Sequence, residues 1–102
     1  MDICLVKVRE IEDYLGKYQG MLVDLRSREA FWRDHIPGAV NVPEDTLERF
    51  LKGADRERLY ILYCERGILS LKAARSLSRR GFRICALAGG MRAYREWIGS
   101  AD

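Results

Sequence analysis

Short apolar runs bounded by turn residues recur along the chain and predict four β-strands. The runs cover residues 3–8, 21–25, 59–63 and 82–87. Between them, apolar residues recur at helical spacing, as in Ile11, Tyr14 and Leu15, then Leu47, Phe50 and Leu51, then Leu71, Ala74 and Leu77. The chain is therefore expected to alternate between strands and helices.

This alternation predicts an α/β fold with a parallel sheet, because right-handed crossover helices cover both faces of such a sheet. The runs at 21–23 and 59–63 are almost continuously apolar, which is typical of strands buried on both faces. A chain of 102 residues can form one core but not two independent ones, so we expect residues 1–102 to make a single domain.

Composition and charge exclude several classes of protein. Hydrophobic residues make up 48% and charged residues 32% of the chain, as in an ordinary globular protein. The net charge of +3 is too small, and too dispersed, to favour a nucleic-acid partner. No window is apolar enough to suggest a signal peptide or a membrane span, so no membrane partner and a cytoplasmic location are expected.

The three cysteines stand at positions 4, 64 and 85, without the paired spacing of a zinc or dithiol site. Cys4 and Cys85 lie inside predicted strands, where a thiol usually packs as a small apolar group. We therefore expect both to be unreactive free thiols in a reducing compartment, and we expect no metal site.

Cys64 differs because it directly follows a predicted strand and precedes a predicted helix that starts near Ser70. Ligands of open α/β sheets bind beyond the carboxyl ends of the strands. A short loop there can direct backbone N–H groups at one point, and the helix N-terminus adds positive potential. This arrangement favours an anion and the nucleophilic thiolate form of Cys64. The predicted anion-binding loop consists of Glu65, Arg66, Gly67, Ile68, Leu69 and Ser70.

Other polar residues and glycines near the strand ends are expected to support this loop. Asp24 and Arg26 flank the end of the second predicted strand, where an ion pair is favoured over binding of the anion by Arg26. His35 is the single histidine and is expected to hold a turn through a backbone carbonyl. Gly89 and Gly90 should permit positive φ or a close backbone approach beside the site. The helix after them is expected to place Tyr94 and Trp97 against the core.

These residues, taken in order, resemble the motifs of rhodanese-like domains over nearly the whole chain. The matching positions are Val23-Asp24-Leu25-Arg26, Glu29, Phe31, the run from His35 to Pro43, Cys64 with Gly67 and Ser70, Lys72-Ala73-Ala74, Gly89-Gly90-Met91 and Trp97.

The resemblance implies a three-layer α/β sandwich with a five-stranded parallel sheet, and a cysteine that accepts a sulfane sulfur and passes it on. It also implies structural roles for Asp24, Arg26 and His35. Two positions depart from the family pattern. Leu69 stands where many active members have arginine, and Asp34 replaces a glycine, a change we expect to be mild because aspartate tolerates left-handed backbone.

Related phosphatases of this fold have an arginine at the sixth position after the cysteine, where this chain has Ser70, so phosphatase activity is disfavoured. The leading hypothesis is a sulfurtransferase that uses no cofactor. Its donor would be a small sulfur-containing anion such as thiosulfate, or a protein persulfide. Its acceptor would be cyanide or a thiol such as thioredoxin or glutathione. The alternative is a catalytically weak module for protein binding or redox sensing.

Overall fold

The computed structural model describes residues 3–100, which form a parallel β-sheet between two layers of helices. The strands are β1 (Cys4–Val6), β2 (Met21–Asp24), β3 (Val40–Asn41), β4 (Tyr60–Tyr63) and β5 (Ile84–Leu87). The helices are α1 (Ile11–Lys17), α2 (Arg28–Arg33), α3 (Leu47–Lys52), α4 (Ile68–Arg79) and α5 (Gly90–Gly99). Short 3₁₀ turns lie at Val8–Glu10 and Glu44–Thr46. The predicted α/β class is confirmed.

The sheet has the strand order β1-β5-β4-β2-β3, and every pairing is parallel. Strand β4 occupies the centre, with both of its neighbours hydrogen-bonded to it. All four of its residues are buried, as the continuous apolar run predicted. The carboxyl end of this central strand leads directly into Cys64.

Residues of β4 alternate between two apolar layers because successive side chains of a strand point to opposite faces. Tyr60 and Leu62 join the layer that also contains Ala74 and Leu77 of α4. Ile61 and Tyr63 join the layer that contains Ile11 of α1 and Met91 of α5. Helices therefore cover both faces of the sheet, and the central strand is packed between them.

Several element boundaries differ from the prediction. Strand β1 ends at Val6, because the Lys7 amide donates to the Glu10 carboxylate at 2.8 Å and a 3₁₀ turn begins. Helix α4 begins at Ile68, two residues before Ser70. Trp97 is 48% exposed, so its predicted core position is wrong, and on α5 it is Met91 that is buried.

The expectation that Cys4 and Cys85 are free thiols is also wrong. The two residues face each other in the β1–β5 pairing, with their Cα atoms 4.6 Å apart, and their sulfur atoms form a disulfide bond. They are 81 residues apart in sequence, and their proximity follows only from the strand order. Of the three cysteines, Cys64 alone is free.

No helix within residues 3–100 is both long and apolar enough to cross a membrane.

Candidate active site

The Cys64 sulfur lies inside the loop that joins β4 to α4. The backbone amides of Gly67 and Ser70 point at Sγ, with nitrogen–sulfur distances of 3.2 and 3.4 Å. The Ser70 hydroxyl lies 3.5 Å from the same sulfur atom. Both amides are donors, so they stabilise negative charge on the sulfur more than they stabilise a neutral thiol.

The loop has this shape because Gly67 adopts a left-handed conformation, with φ of 90°, immediately before α4. Gly67 thus reverses the chain and directs its own amide and the first turn of α4 toward Cys64. The positive end of the α4 dipole then faces the sulfur, which adds to the effect of the two amides. A side chain at Gly67 would also collide with the Gly89 backbone, since its Cβ would lie 2.9 Å from the Gly89 nitrogen.

The start of α5 packs tightly on the back of the loop. Gly90 has a φ of 58°, and a Cβ there would lie only 2.3 Å from the Cys64 carbonyl oxygen. That oxygen accepts a hydrogen bond from the Met91 amide at 2.9 Å, and the Glu65 carbonyl accepts one from Arg92 at 3.0 Å. The prediction of positive φ and close approach at Gly89 and Gly90 is confirmed.

Asp24 and Arg26 form the predicted ion pair, which is buried beside the loop. The Asp24 side chain is fully buried and receives the Arg26 Nη2 at 2.9 Å, the Nε at 3.1 Å and the Arg26 backbone amide at 2.9 Å. Arg26 continues to Glu65, whose carboxylate lies 3.2 Å from its Nη1. The guanidinium of Arg26 therefore links the end of β2 to the first loop residue after Cys64.

Sequence reasoning missed the other half of this network, which involves Arg95 of α5. Arg95 pairs with Glu65 through Nη1 and with Asp34 through Nε, the latter at 2.7 Å. The hydrogen bond from Arg95 is the main reason that the pKa values of Glu65 and Asp34 lie below their usual range. No sequence motif indicates a role for Arg95. It reaches the loop because it lies one helical turn after Met91 on α5.

The structure gives Asp34 a different role from the expected tolerance of left-handed backbone. Its backbone is extended, with φ of −165°, so tolerance of the left-handed region plays no part. Its carboxylate instead lies between Arg95 and Arg26, at 2.7 and 3.6 Å. The aspartate thus adds an ion-pair partner that a glycine at this position lacks.

His35 performs the expected turn-holding role. Its Nδ1 lies 2.9 Å from the Phe31 carbonyl oxygen, which can only accept, so Nδ1 carries the hydrogen. The imidazole also stacks on the Phe31 ring, with centroids 3.8 Å apart. Within residues 3–100 it makes no hydrogen bond to Cys64, and the structure does not assemble a Cys–His pair.

A cavity of about 340 Å³ opens next to Cys64. Its apolar wall consists of Leu25, Ile68 and Leu69, and its charged lining residues are Arg26, Glu65 and Arg66. Cys64 is 6% exposed and lines this opening. The geometry combines a nearly buried cysteine, two amide donors and an adjacent cavity, which suits a nucleophile that attacks a small electrophilic atom.

Comparison with known proteins shows which sequences and structures this chain is similar to. The model of the family described as "Rhodanese-like domain" matches residues 7–96. A protein named thiosulfate sulfurtransferase GlpE, from Shewanella oneidensis, is 37% identical over 76 residues, which is 74% of this chain and 75% of that protein. A protein named tRNA sulfurtransferase, from Desulfurococcus amylolyticus, is 35% identical over 87% of this chain, but the match spans only 17% of that longer protein.

Among solved structures, a rhodanese-related protein from Thermoplasma volcanium superimposes with a TM-score of 0.82 and 22% sequence identity. The match covers 92% of both chains, so the two proteins share the same fold over that span.

Proposed function

Because this chain belongs to the rhodanese-like domain family, we propose that Cys64 is the nucleophile of a sulfur-transfer reaction and carries the transferred sulfur as a persulfide. The observation that carries the proposal is the pair of amides, from Gly67 and Ser70, directed at the Cys64 sulfur at 3.2 and 3.4 Å. Relatives named as sulfurtransferases, at 35–37% identity, support the reaction class.

The first half-reaction loads the cysteine. The Cys64 thiolate attacks the outer sulfur of a donor such as thiosulfate, or of a protein persulfide. A bond forms between Sγ and that sulfur while the donor's sulfur–sulfur bond breaks, and sulfite, or the donor protein's thiolate, leaves with the electron pair. The loop amides and the start of α4 stabilise the anionic sulfur during this step.

The second half-reaction regenerates the enzyme. A thiolate or cyanide attacks the terminal sulfur of the persulfide, and the Cys64 thiolate departs with the electron pair. The same two amides stabilise this leaving thiolate, so they act in both half-reactions. A thiol acceptor of the thioredoxin or glutathione type fits this step, as does cyanide.

Steady-state kinetics test the proposal. Since the sulfur resides on Cys64 between two chemical steps, initial rates measured against thiosulfate at several cyanide concentrations should give the parallel double-reciprocal lines of ping-pong kinetics. Intersecting lines, or a rate equal to the background without protein, would contradict a covalent sulfur-transfer enzyme.

A non-catalytic alternative is favoured by one observation. Ile68 and Leu69 expose 67% and 37% of their surface at the mouth of the cavity, and exposed apolar residues around a site are typical of protein-binding surfaces. On this alternative the domain binds a partner or senses oxidants through Cys64 with negligible turnover. Sustained turnover with a small donor would exclude it.

Removal of the Ser70 hydroxyl tests whether the loop stabilises the anionic Cys64 sulfur. Ser70→Ala removes the hydroxyl, which accepts from Sγ at 3.5 Å and donates to the Gly67 carbonyl at 3.3 Å, but keeps the backbone amide that points at the sulfur. A Cys64 thiolate has no proton to donate, so in that form the hydroxyl is expected to donate to the sulfur. Because one hydrogen bond to an anion contributes about 1.5 kcal/mol, we expect kcat to fall about tenfold. Ser76→Ala, on the exposed side of the same helix, is the matched control and should leave kcat unchanged. Equal rates for Ser70→Ala and the unsubstituted protein would show that the hydroxyl does not act on the sulfur.

A further inference from the structure

Arg95 of helix α5 holds two carboxylates that belong to other elements of the fold. Its Nε and Nη2 donate to the Asp34 carboxylate at 2.7 and 3.1 Å. Its Nη1 and Nη2 donate to the two oxygens of Glu65, the second at 3.3 Å. Asp34 directly follows α2, and Glu65 directly follows Cys64. Within residues 3–100 the lining of the Cys64 cavity includes Glu65 but not Arg95, so Arg95 reaches the cavity through the Glu65 carboxylate.

The second arginine at this carboxylate, Arg26, cannot neutralise it alone. The Nη1 of Arg26 lies 3.2 Å from Glu65, but its Nε and Nη2 donate to Asp24 at 3.1 and 2.9 Å. Asp24 is fully buried, and a buried carboxylate needs a partner of opposite charge. Arg26 is therefore occupied by Asp24, and neutralisation of Glu65 depends on Arg95.

The charges around the cavity balance only when Arg95 is counted. The charged side chains that line the cavity or join this network of ion pairs within residues 3–100 are Asp24, Arg26, Asp34, Glu65, Arg66 and Arg95. Three are acidic and three are basic, so their charges sum to zero. The hydrogen bond from Arg95 keeps the pKa values of Glu65 and Asp34 below their usual range, and even the usual range leaves both ionised at neutral pH. Loss of Arg95 would therefore leave a net negative charge beside Cys64, which repels anions.

We propose that Arg95 is a positioning residue for Cys64: it fixes the Glu65 carboxylate at the start of the loop and cancels its charge, so that the thiolate can meet an anionic reactant. The effect on turnover rests on the proposed function, but the effect on the thiolate can be measured without a sulfur donor. Backbone hydrogen bonds from Met91 and Arg92 hold α5 against the loop independently of the Arg95 side chain. Arg95→Gln should therefore change the charge and leave the loop in place.

Two alkylating reagents of different charge measure this effect. Iodoacetate and iodoacetamide both react with the Cys64 thiolate: a bond forms between Sγ and carbon, the carbon–iodine bond breaks, and iodide leaves with the electron pair. Because both reactions depend on the same thiolate population, the ratio of their rate constants reports the charge that the reagent meets. The disulfide protects Cys4 and Cys85, and peptide mapping assigns the label to Cys64. Arg95→Gln should lower the ratio of iodoacetate to iodoacetamide rate constants about fivefold at low ionic strength, and added salt should reduce the difference.

An opposite change in the same network separates charge from structural damage. Asp34→Asn removes a negative charge, so it should raise the ratio about threefold, an effect that damage to the loop would not produce. Arg95→Gln combined with Asp34→Asn restores the charge balance and should return the ratio to within about twofold of the value of the unsubstituted protein. Asp34 is partly exposed, so Asp34→Asn decides the question by itself if Arg95→Gln does not fold.

Arg92→Gln is the matched control. Arg92 lies on the same helix and loses the same charge in this variant, but its side chain pairs with Glu96 and does not line the cavity. The ratio should change less than about twofold. Equal changes in both rate constants on Arg95→Gln, or a ratio that Asp34→Asn does not raise, would overturn the inference.

Turnover with thiosulfate separates this inference from the proposed function. For Arg95→Gln, kcat/KM for thiosulfate should fall at least about fivefold, while kcat at saturating donor changes less. A lowered alkylation ratio in a protein that transfers no sulfur supports the role of Arg95 and refutes the transfer. Normal sulfur transfer with an unchanged alkylation ratio overturns the role of Arg95 and leaves the proposed function intact.

Discussion

Cys64→Ser is expected to abolish sulfur transfer, lowering the turnover rate by at least about 10³-fold, to the background without protein. The serine hydroxyl cannot form the persulfide on which both half-reactions depend. The loop itself should persist, because serine is nearly isosteric with cysteine and its oxygen can accept hydrogen bonds from the same Gly67 and Ser70 amides. The measurement is the steady-state rate with thiosulfate and cyanide.

Thermal unfolding of the same variant is the control for that result. A melting temperature close to that of the unsubstituted protein shows that the loss of turnover arises from the missing sulfur and not from misfolding. Retention of more than a few per cent of the rate in a folded Cys64→Ser protein would rule out Cys64 as the sulfur carrier.

Reduction of the Cys4–Cys85 disulfide is expected to lower the free energy of unfolding by about 4 kcal/mol. The bond joins residues 81 positions apart, and closing so long a loop removes much of the conformational entropy of the unfolded chain. It also ties strand β1, at the edge of the sheet, to β5. Urea unfolding with and without a strong reductant measures the difference.

The Cys64→Ser background makes this test unambiguous, since Cys4 and Cys85 are then the remaining cysteines. Under denaturing conditions a thiol reagent should find no free thiol before reduction and two after it. Cys4→Ala should have the same low stability with and without reductant. Two free thiols in the unreduced chain would show that the bond does not form in solution.

Local patterns predicted four of the five strands and the position of Cys64 at a strand end, because both depend on near neighbours in sequence. The apolar run ending at Tyr63 is buried on both faces, as a central strand requires, and Cys64 follows at its carboxyl end. The Asp24–Arg26 pair and the His35 hydrogen bond were predictable for the same reason, since each links residues at most four positions apart.

Long-range features could not be predicted in this way. The disulfide depends on β1 lying next to β5, which the order of elements along the chain does not reveal. The contact of Arg95 with Glu65 depends on the packing of α5 behind the loop. Trp97 was predicted to face the core from its helical spacing, yet 48% of its surface is exposed, and the large side chain that α5 buries is Met91.

The most direct test of the central claim is to locate the transferred sulfur. After reaction with thiosulfate in the absence of an acceptor, intact-protein mass spectrometry should show the addition of one sulfur atom, and peptide mapping should place it on Cys64. Added acceptor should remove it and restore the original mass. A protein that turns over donor while Cys64 stays unmodified, or that carries the sulfur on another residue, would contradict the account.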